Sequence, residues 1–469
     1  MFVCLRGPEQ DGHDYAREAY ARGCRAFVCE YPPRDLPQDA CLILVPDSVH
    51  ALALLASAWY SYPEKELTLI GITGTKGKTT TAMMLYHLLR EEGVPCGYIG
   101  SGGVLYGRIE EKNDNTTPAA PALRHYFSAM RRAGVNTVVL EVSSQAISHR
   151  RIDGLTFPLC LFTNLAEDHI GEGEHPDFCH YREAKAKLFS DYGCRSMVFN
   201  KDDESAPYML AASSATRVRA ISCRRTDADL YATRIRPQRQ KGILATSFFL
   251  HGREEGAFPV SIPLPGECDV ENALLALLAA KEYFALRGET LPTLRSLAAH
   301  LSEARIAGRF ALIPTQLSDV DFVIDYAHNG YSLAAAIAAL RAYEPKRLVC
   351  LFGAVGGRTY SRRAELARAA CAADFCIVTA DNPGDEPPEE TMREICAVLE
   401  ERGREYVAIP DRAEAIRYAV RHARAGDMVL LAGKGHEDYQ LIGTRRVPFS
   451  EKEILLAAVE ERESVPIAR

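Results

Sequence analysis

The sequence predicts an α/β protein of three domains, with a glycine-rich strand-to-helix turn in the central one and a doubly wound sheet in the last. Three observations predict this. The 469 residues amount to about three domains of common size. Apolar runs of strand length alternate with helical patterns along most of the chain. Polar and glycine residues cluster where those strands end, which is where ligands sit in open α/β sheets.

The elements follow in order. Residues 1–66 form the first domain, with β-like runs "AFVCEY" and "CLILVP" between helical patterns, and "SYPEKE" (61–66) reads as a linker. The central domain, 67–304, opens on "LTLIGITGTKGKTT". Its "NTVVLEVSS" (136–144) and "LCLFTNL" (159–165) read as buried parallel strands. Residues 225–265 read instead as antiparallel strands joined by turns, and "ENALLALLAAKEYFAL" (271–286) as a helix. The last domain, 305–469, carries the strands "DFVIDYA", "RLVCLFGA", "FCIVTA" and "DMVLLAG", each followed by a loop and a helical pattern.

Composition excludes several classes. The net charge of −7 gives no general attraction to nucleic acid or acidic membranes. The 14 cysteines are scattered without a C-x-x-C pair, as expected of reduced cytosolic thiols. Arg6, Glu9, Asp11 and Asp14 argue against a signal peptide. The longest apolar stretches, 51–60 and 273–280, fall short of the ~20 residues that cross a bilayer. The expectation is a cytoplasmic monomer with no nucleic-acid partner and no membrane insertion.

The turn "GTKGKTT" comprises Gly74, Thr75, Lys76, Gly77, Lys78, Thr79 and Thr80. Glycines permit positive φ and close approach of backbone to a ligand, and the following helix offers unpaired N–H groups. Lys78 adds a point charge, and Thr79 a hydroxyl within reach of Mg²⁺. The strict Walker spacing fails, because Ile72 stands where glycine is required. An ordinary glycine-rich turn is the plainer alternative, but Gly-Lys-Thr-Thr at such a junction favours a polyphosphate site. Glu141 ends the apolar run "VVLEV", where a lone carboxylate costs several kcal/mol unless partnered. A Mg²⁺ role and a buried salt bridge both remain open for it. Four further strand exits are unusual: Asp325–His328, Gly353–Arg358, Asp381–Pro383 and Gly433–Glu437.

Together "GTKGKTT", "NTTP" (115–118), "EVSSQAISHRR" (141–151), "TNLAEDHI" (163–170), "YREAKAKLF" (181–189), "DYAHN" (325–329), "DNP" (381–383) and "GKGHEDYQ" (433–440) resemble the Mur ligases. The resemblance is strongest to the synthetases that add the third residue of the peptidoglycan stem peptide. It implies an N-terminal UDP-substrate domain, a central P-loop ATP-binding domain and a C-terminal amino-acid-binding domain. ATP would phosphorylate a carboxylate of the UDP-MurNAc-dipeptide, and the amine of a free amino acid would attack the acyl phosphate. It also implies two Mg²⁺ ions and CO₂ held as a lysine carbamate.

Residue by residue, the resemblance makes Lys78, Lys185, His169 and Glu141 catalytic. It makes Thr79, Glu141, His169 and carbamylated Lys185 metal ligands. From the residues alone Lys185 reads as a solvated lysine, like Lys187; the resemblance reverses that. Asn272, Arg309, Asp325, His328 and Asn329 join the P-loop around ATP, although Cys268 and Asp269 depart from the family's pattern before Asn272. Asn115, Thr116, Thr117, Ser143, His149 and Arg151 would hold the UDP-substrate. Asp381, Asn382, Pro383, Gly384, Asp385, Glu386, Gly433 and Glu437 would meet the amino acid. The chain opens at "MFVCLRGPEQDGH", and part of the uracil pocket is expected upstream of it. Where enzymes using meso-diaminopimelate carry D-N-P-R, this chain has Gly384. That points to L-lysine, whose ammonium would face Asp385 or Glu386, with diaminopimelate or another amine donor as alternatives. A folylpolyglutamate synthetase shares the chemistry but lacks "NTTP" and "GKGHE". A simple P-loop kinase would lack the third α/β domain.

Overall fold

The computed structural model describes residues 1–464, apart from 8, 9, 114, 169, 172, 173, 241, 305, 307, 358 and 359. The chain clusters into two compact units. The first comprises Met1–Tyr231, Gly252–Gly256 and Glu271–Leu301; the second comprises Ala232–His251, Ala257–Val270 and Ser302–Arg469.

In the first unit, strands Phe2–Val3, Ala26–Cys29 and Cys41–Leu44 pair in parallel and in chain order. Cys4, Ala16, Phe27 and Cys29 form their small core. Helix Ser48–Trp59 follows, its first turn capped by Asp47, which accepts from the His50 N–H at 2.8 Å. The expected linker at 61–66 contains a turn of 3₁₀ helix, Pro63–Glu66. Pro63 presets φ for that turn, and Glu66 pairs with Arg131 on helix Ala120–Arg132.

The central sheet has a parallel body. Strands Arg217–Ser222, Ser196–Asn200, Leu159–Phe162, Thr68–Thr73, Thr137–Glu141 and Cys96–Gly100 are neighbours in that order. Gly103–Tyr106 and Ile109–Glu111 continue it antiparallel. Val138, Val139, Leu140, Leu161 and Ile72 are wholly buried, as expected where helices cover both faces. Leu123, Phe127 and Met130 of helix Ala120–Arg132 pack with Leu188 and Phe189 in one large core. Helix Lys78–Glu91 lies on Cys96–Gly100 and Thr137–Glu141. Leu230 and Tyr231 add the start of one more strand beside Ile221 and Ser222.

Strands Leu230–Gln240, Ile243–Gly252 and Gly256–Ile262, most of whose residues belong to the second unit, succeed one another in sheet order, in the segment where strands were expected. The main sheet runs Ala311–Ile313, Asp321–Asp325, Asp427–Ala432, Arg347–Phe352, Phe375–Val378 and Tyr406–Ala408. The first pair is antiparallel and the others parallel. Helices Gly330–Arg341, Tyr360–Ala370 and Pro388–Glu401 pack into one core, and Arg412–His422 and Glu451–Ser464 into another. This is the doubly wound arrangement. The expected strands form the interior, and the two three-residue edge strands are too short to leave a periodic signature. Chain order reverses around Asp427–Ala432, which lies between Asp321–Asp325 and Arg347–Phe352. Such a reversal opens a crevice at the carboxyl ends of the strands.

Arg412, 1% exposed, pins two of those ends. Its guanidinium donates to Ala380 O at 3.2 Å and Ala432 O at 2.7 Å, and to Glu451 Oε1 at 2.9 Å. Arg412→Met strands a buried carboxylate and two carbonyls, and is expected to cost about 3–5 kcal/mol of stability. Denaturant titration reads this directly; a midpoint equal to that of the parent chain contradicts it.

Candidate active site

Strand Thr68–Thr73 delivers the glycine turn, and helix Lys78–Glu91 leaves it. Gly74 has φ +150°, and a Cβ there would overlap Thr163 Oγ1. Gly77 has φ +80°, and a Cβ would strike Asn272 Oδ1. Both positions therefore need glycine. The neighbouring strand exit braces the turn. Thr75 N donates to Asn164 O at 2.8 Å, Lys76 N to Asn164 Oδ1 at 2.9 Å, and Thr163 Oγ1 to Lys76 O at 2.6 Å. Lys78 Nζ folds back onto Gly74 O at 2.8 Å and Thr75 O at 3.0 Å. Lys76 Nζ pairs with Asp168 at 2.9 Å. Thr80 is buried, and Thr81 Oγ1 donates to Asn272 Oδ1 at 3.1 Å, so Asn272 is built into the base of the turn. A preorganised loop with lysines and a helix N-terminus is a polyphosphate site by its chemistry.

Glu141 ends its strand wholly buried. Among the described residues it is in no salt bridge. Tyr98 OH donates to Oε1 at 2.5 Å, Ser101 N to Oε1 at 3.0 Å, and Thr79 Oγ1 to Oε2 at 3.0 Å. Burial raises its pKa, opposed chiefly by the charge of Lys78 and by these donors. Gly100 makes room: a Cβ there would overlap the Glu141 carboxylate and the Tyr98 hydroxyl. Tyr98 was not legible in the sequence, because its partner lies on another strand of the sheet. Among the described residues no cluster of three or more His, Cys, Asp or Glu side chains could hold a metal ion. The Thr79 hydroxyl and the Glu141 carboxylate nevertheless form a hard oxygen pair that fits Mg²⁺, an ion that takes its remaining ligands from water and phosphate.

Lys185 sits on helix Phe178–Ser190, capped by Asp177, which accepts from His180 N at 2.7 Å. Lys185 is 1% exposed, whereas Lys187 on the opposite face is exposed. Its Nζ donates to Gly74 O at 2.9 Å, the same carbonyl that Lys78 engages. It also lies 4.5 Å over the Tyr181 ring. Burial, with Lys78 and Lys76 adding repulsion against the pull of Asp168, holds the amine well below the usual lysine range. A neutral amine is the form that reacts with CO₂. His169 lies outside the described residues.

The residues expected for the UDP-substrate gather beside Glu141. Thr117 Oγ1 donates to Glu141 O at 2.8 Å and accepts from Ser143 N at 3.1 Å. Arg151 Nη1 donates to Thr117 O at 2.9 Å, and Thr116 Oγ1 is 2.8 Å from Ser101 Oγ. Asn115 and His149 are exposed at the rim. Behind Arg151 stands Arg124, wholly buried, which donates to the carbonyls of Arg151 and Asp153 and to Ser57 Oγ. Burial brings its pKa down to about 10. Nothing in the helical pattern around Arg124 marked it as a brace.

In the second unit, Arg309 and Asp325 meet at 3.8 Å, and burial raises the Asp325 pKa against that pull. His328 is exposed, and Asn329 caps helix Gly330–Arg341 by accepting from Ser332 N at 3.0 Å. Asp381, Asn382, Gly433 and Glu437 converge at the carboxyl ends of their strands, with Pro383 buried alongside. Asn382 Nδ2 donates to Glu437 Oε2 at 3.0 Å. Gly384 has φ +60°, and its N–H and C=O bond Leu441 O at 3.1 Å and Gly443 N at 2.7 Å. Asp385 is exposed. Glu386 is already engaged by Arg363 Nη2 at 2.5 Å and Gly357 N at 2.8 Å, so the acidic turn is not two open carboxylates.

Two family models match the chain: the Mur ligase middle domain over residues 72–280, and the Mur ligase glutamate ligase domain over residues 308–435. A UDP-N-acetylmuramoyl-L-alanyl-D-glutamate–2,6-diaminopimelate ligase from Geobacillus kaustophilus is 36% identical over 470 residues, spanning 98% of this chain and 92% of the relative. The ligase of the same name from Chlorobaculum tepidum is 37% identical, spanning 97% and 89%. A solved structure of a ligase with this name matches with a TM-score of 0.67 at 27% identity, covering 99% of this chain and 92% of the other. Folylpolyglutamate synthase from Mycobacterium tuberculosis, at 17% identity and a TM-score of 0.64 over 88% of this chain and 94% of its own, shares the fold alone.

The burial of Lys185 has a measurable consequence. Its native pKa lies below that of the unfolded chain, so below the ordinary lysine range the buried amine costs the native state stability. Stability is regained as pH rises through the native pKa toward the ordinary lysine value, where the unfolded chain holds more protons. In CO₂-free buffer at pH 7, Lys185→Met is expected to gain about 1–3 kcal/mol. It is also expected to flatten the rise in stability toward pH 9. A lower melting temperature for the variant contradicts this account.

Proposed function

The chain belongs to the Mur ligase family and is an ATP-dependent ligase that forms amide bonds, and from that premise we propose that it adds a diamino acid to UDP-N-acetylmuramoyl-L-alanyl-D-glutamate in peptidoglycan precursor synthesis. The carrying observation is the convergence of Lys78, Lys185 and Glu141 on one glycine turn. Residues 1–66 are assigned to the UDP-substrate, 67–304 to ATP and 305–469 to the amino acid. Use of ATP and a nucleotide-linked sugar favours a cytoplasmic location.

The chemistry follows from the groups present. A carboxylate resists attack by an amine until one oxygen becomes a leaving group. The γ-phosphoryl of ATP passes to the D-glutamate carboxylate, releasing ADP. The free amine attacks the acyl carbon, and the tetrahedral intermediate expels phosphate as the amide forms and a proton is lost. Lys78 and the N-terminal N–H groups of its helix neutralise charge on the transferred phosphoryl. Thr79 and Glu141 would hold one Mg²⁺, and Lys185 as its carbamate, with His169, a second; the ions would supply further charge neutralisation. Thr117, Ser143 and Arg151 orient the UDP-substrate, an arginine suiting its phosphates and carboxylates.

The relatives' names favour 2,6-diaminopimelate as the amino acid. A second reading, L-lysine, rests on Gly384. An arginine there would clamp a distal carboxylate, and without it that carboxylate loses a partner worth about 2–5 kcal/mol. Exposed Asp385 could face the lysine ammonium.

An amino-acid panel with ATP, Mg²⁺ and the UDP-dipeptide, read by product mass, separates these readings. ADP release should require both the UDP-dipeptide and a diamino acid. Failure with every amino acid sinks the ligase assignment, and faster turnover of diaminopimelate retires lysine. Lys78→Ala should lower kcat by about 10²–10³-fold while calorimetry finds binding of the UDP-dipeptide little changed. Retained acyl-phosphate formation in that variant would falsify the role of Lys78.

A further inference from the structure

Lys434 is wholly buried at the exit of strand Asp427–Ala432. The glycines on either side turn its side chain inward. Gly433 has φ +119°, and a Cβ there would come within 2.7 Å of Asp381 Oδ2. Gly435 has φ +54°, and a Cβ would meet Tyr326 Cβ at 2.6 Å. The Lys434 ammonium reaches Asn382 Oδ1 at 2.9 Å, Glu437 Oε2 at 2.9 Å and Asp381 Oδ1 at 3.6 Å. A lysine has three donor protons, and three acceptors surround this one.

The contrast with Arg412 is informative. Arg412 bonds the backbone carbonyls of Ala380 and Ala432, and so holds strands. The Lys434 contacts are all to side-chain atoms, and they fix side-chain orientation. Asn382 Oδ1 accepts from Lys434 and from Leu441 N at 2.9 Å, which forces Nδ2 toward Glu437 Oε2 at 3.0 Å. Glu437 Oε2 thus has two donors. Its Oε1 has a long 3.3 Å contact from Tyr326 OH. The Glu437 side chain keeps 14% exposure, against 0% for Lys434 and 3% for Asp381. Of the three charged side chains in this cluster, that of Glu437 is the most exposed.

We propose that Lys434 is a positioning residue for the incoming amino acid. It locks the Asn382 amide and the Glu437 carboxylate in the orientation that presents Glu437 Oε1 to the substrate ammonium. This rests on the ligase reading above. Without Lys434, Asn382 is free to turn its amide over, and Glu437 Oε2 loses its cation. Binding of the amino acid then weakens, while the ATP and UDP-dipeptide sites, built from other residues, do not change.

The test measures three KM values for Lys434→Met, using meso-diaminopimelate and L-lysine as probes, with melting temperature as the fold check. The KM of the preferred amino acid should rise at least about tenfold, and those for ATP and the UDP-dipeptide should stay within about twofold. Lys434→Gln, which keeps an amide donor group but no charge, should fall between, and it is read the same way if the methionine variant does not fold. Arg412→Met is the structural comparison, expected to lose stability without a selective rise. Equal rises in all three KM values, or an unchanged amino-acid KM, overturn the proposal. A parent chain that ligates neither probe removes the ligase reading itself. A parent that ligates normally beside an indifferent Lys434→Met removes only the role of Lys434.

Discussion

One carbonyl oxygen accepts from two amines. Gly74 O takes hydrogen bonds from Lys78 and from Lys185, and Lys76 stands between Gly74 and Lys78 in the chain. Three lysines crowd this turn, and the charges of Lys78 and Lys76 act on Lys185. Lys185 is wholly buried, and burial, with Lys78 and Lys76 adding repulsion, holds its amine well below the usual lysine range. The crowding is tolerable because the turn is made to meet an anion. The two glycines with positive φ bring the backbone close, the helix aims its N–H groups outward, and Asn164 and Thr163 stop the loop relaxing away. Much of the surrounding architecture serves this point. Parallel strands deliver Thr73, Glu141 and Phe162 to the same edge, and loops from each edge position complete the site.

Glu141 and Lys185 illustrate opposite solutions to burial. The carboxylate keeps three donors around it, from a tyrosine, a threonine and a backbone N–H. The amine has a carbonyl and a ring face. A buried group with few partners is reactive or awaits a ligand; a buried group with many is poised. Both depend on one sheet, since Tyr98, Glu141 and Gly74 lie on or next to adjacent strands. The second unit repeats the theme with its own sheet. There a buried arginine ties strand ends and pairs with Glu451, while a buried lysine orients side chains and meets Glu437 and Asp381.

Much of this was readable from residue order. The glycine turn, the doubly wound last domain and the polar strand exits were legible because each depends on local pattern: glycine spacing, apolar runs of strand length, and turn residues after them. The motif set carried the family. The segment expected as a linker at 61–66 holds a turn of 3₁₀ helix, because proline there presets φ for a turn of its own. The edge strands Ala311–Ile313 and Tyr406–Ala408 were missed because three residues carry no period.

By itself the sequence determined the class of fold, the phosphate turn and the residue types at each strand exit, since these rest on short-range backbone preference and the burial of apolar runs. Tertiary structure alone decided which of two lysines two positions apart is buried. It decided that Glu141 takes a hydrogen bond from Tyr98, that Glu386 belongs to Arg363, and that Arg124 braces the loop behind Arg151. Each of these is a contact between groups far apart in the chain. Burial and hydrogen bonding depend on where the sheet brings those groups together, and no local pattern in the sequence encodes that distance.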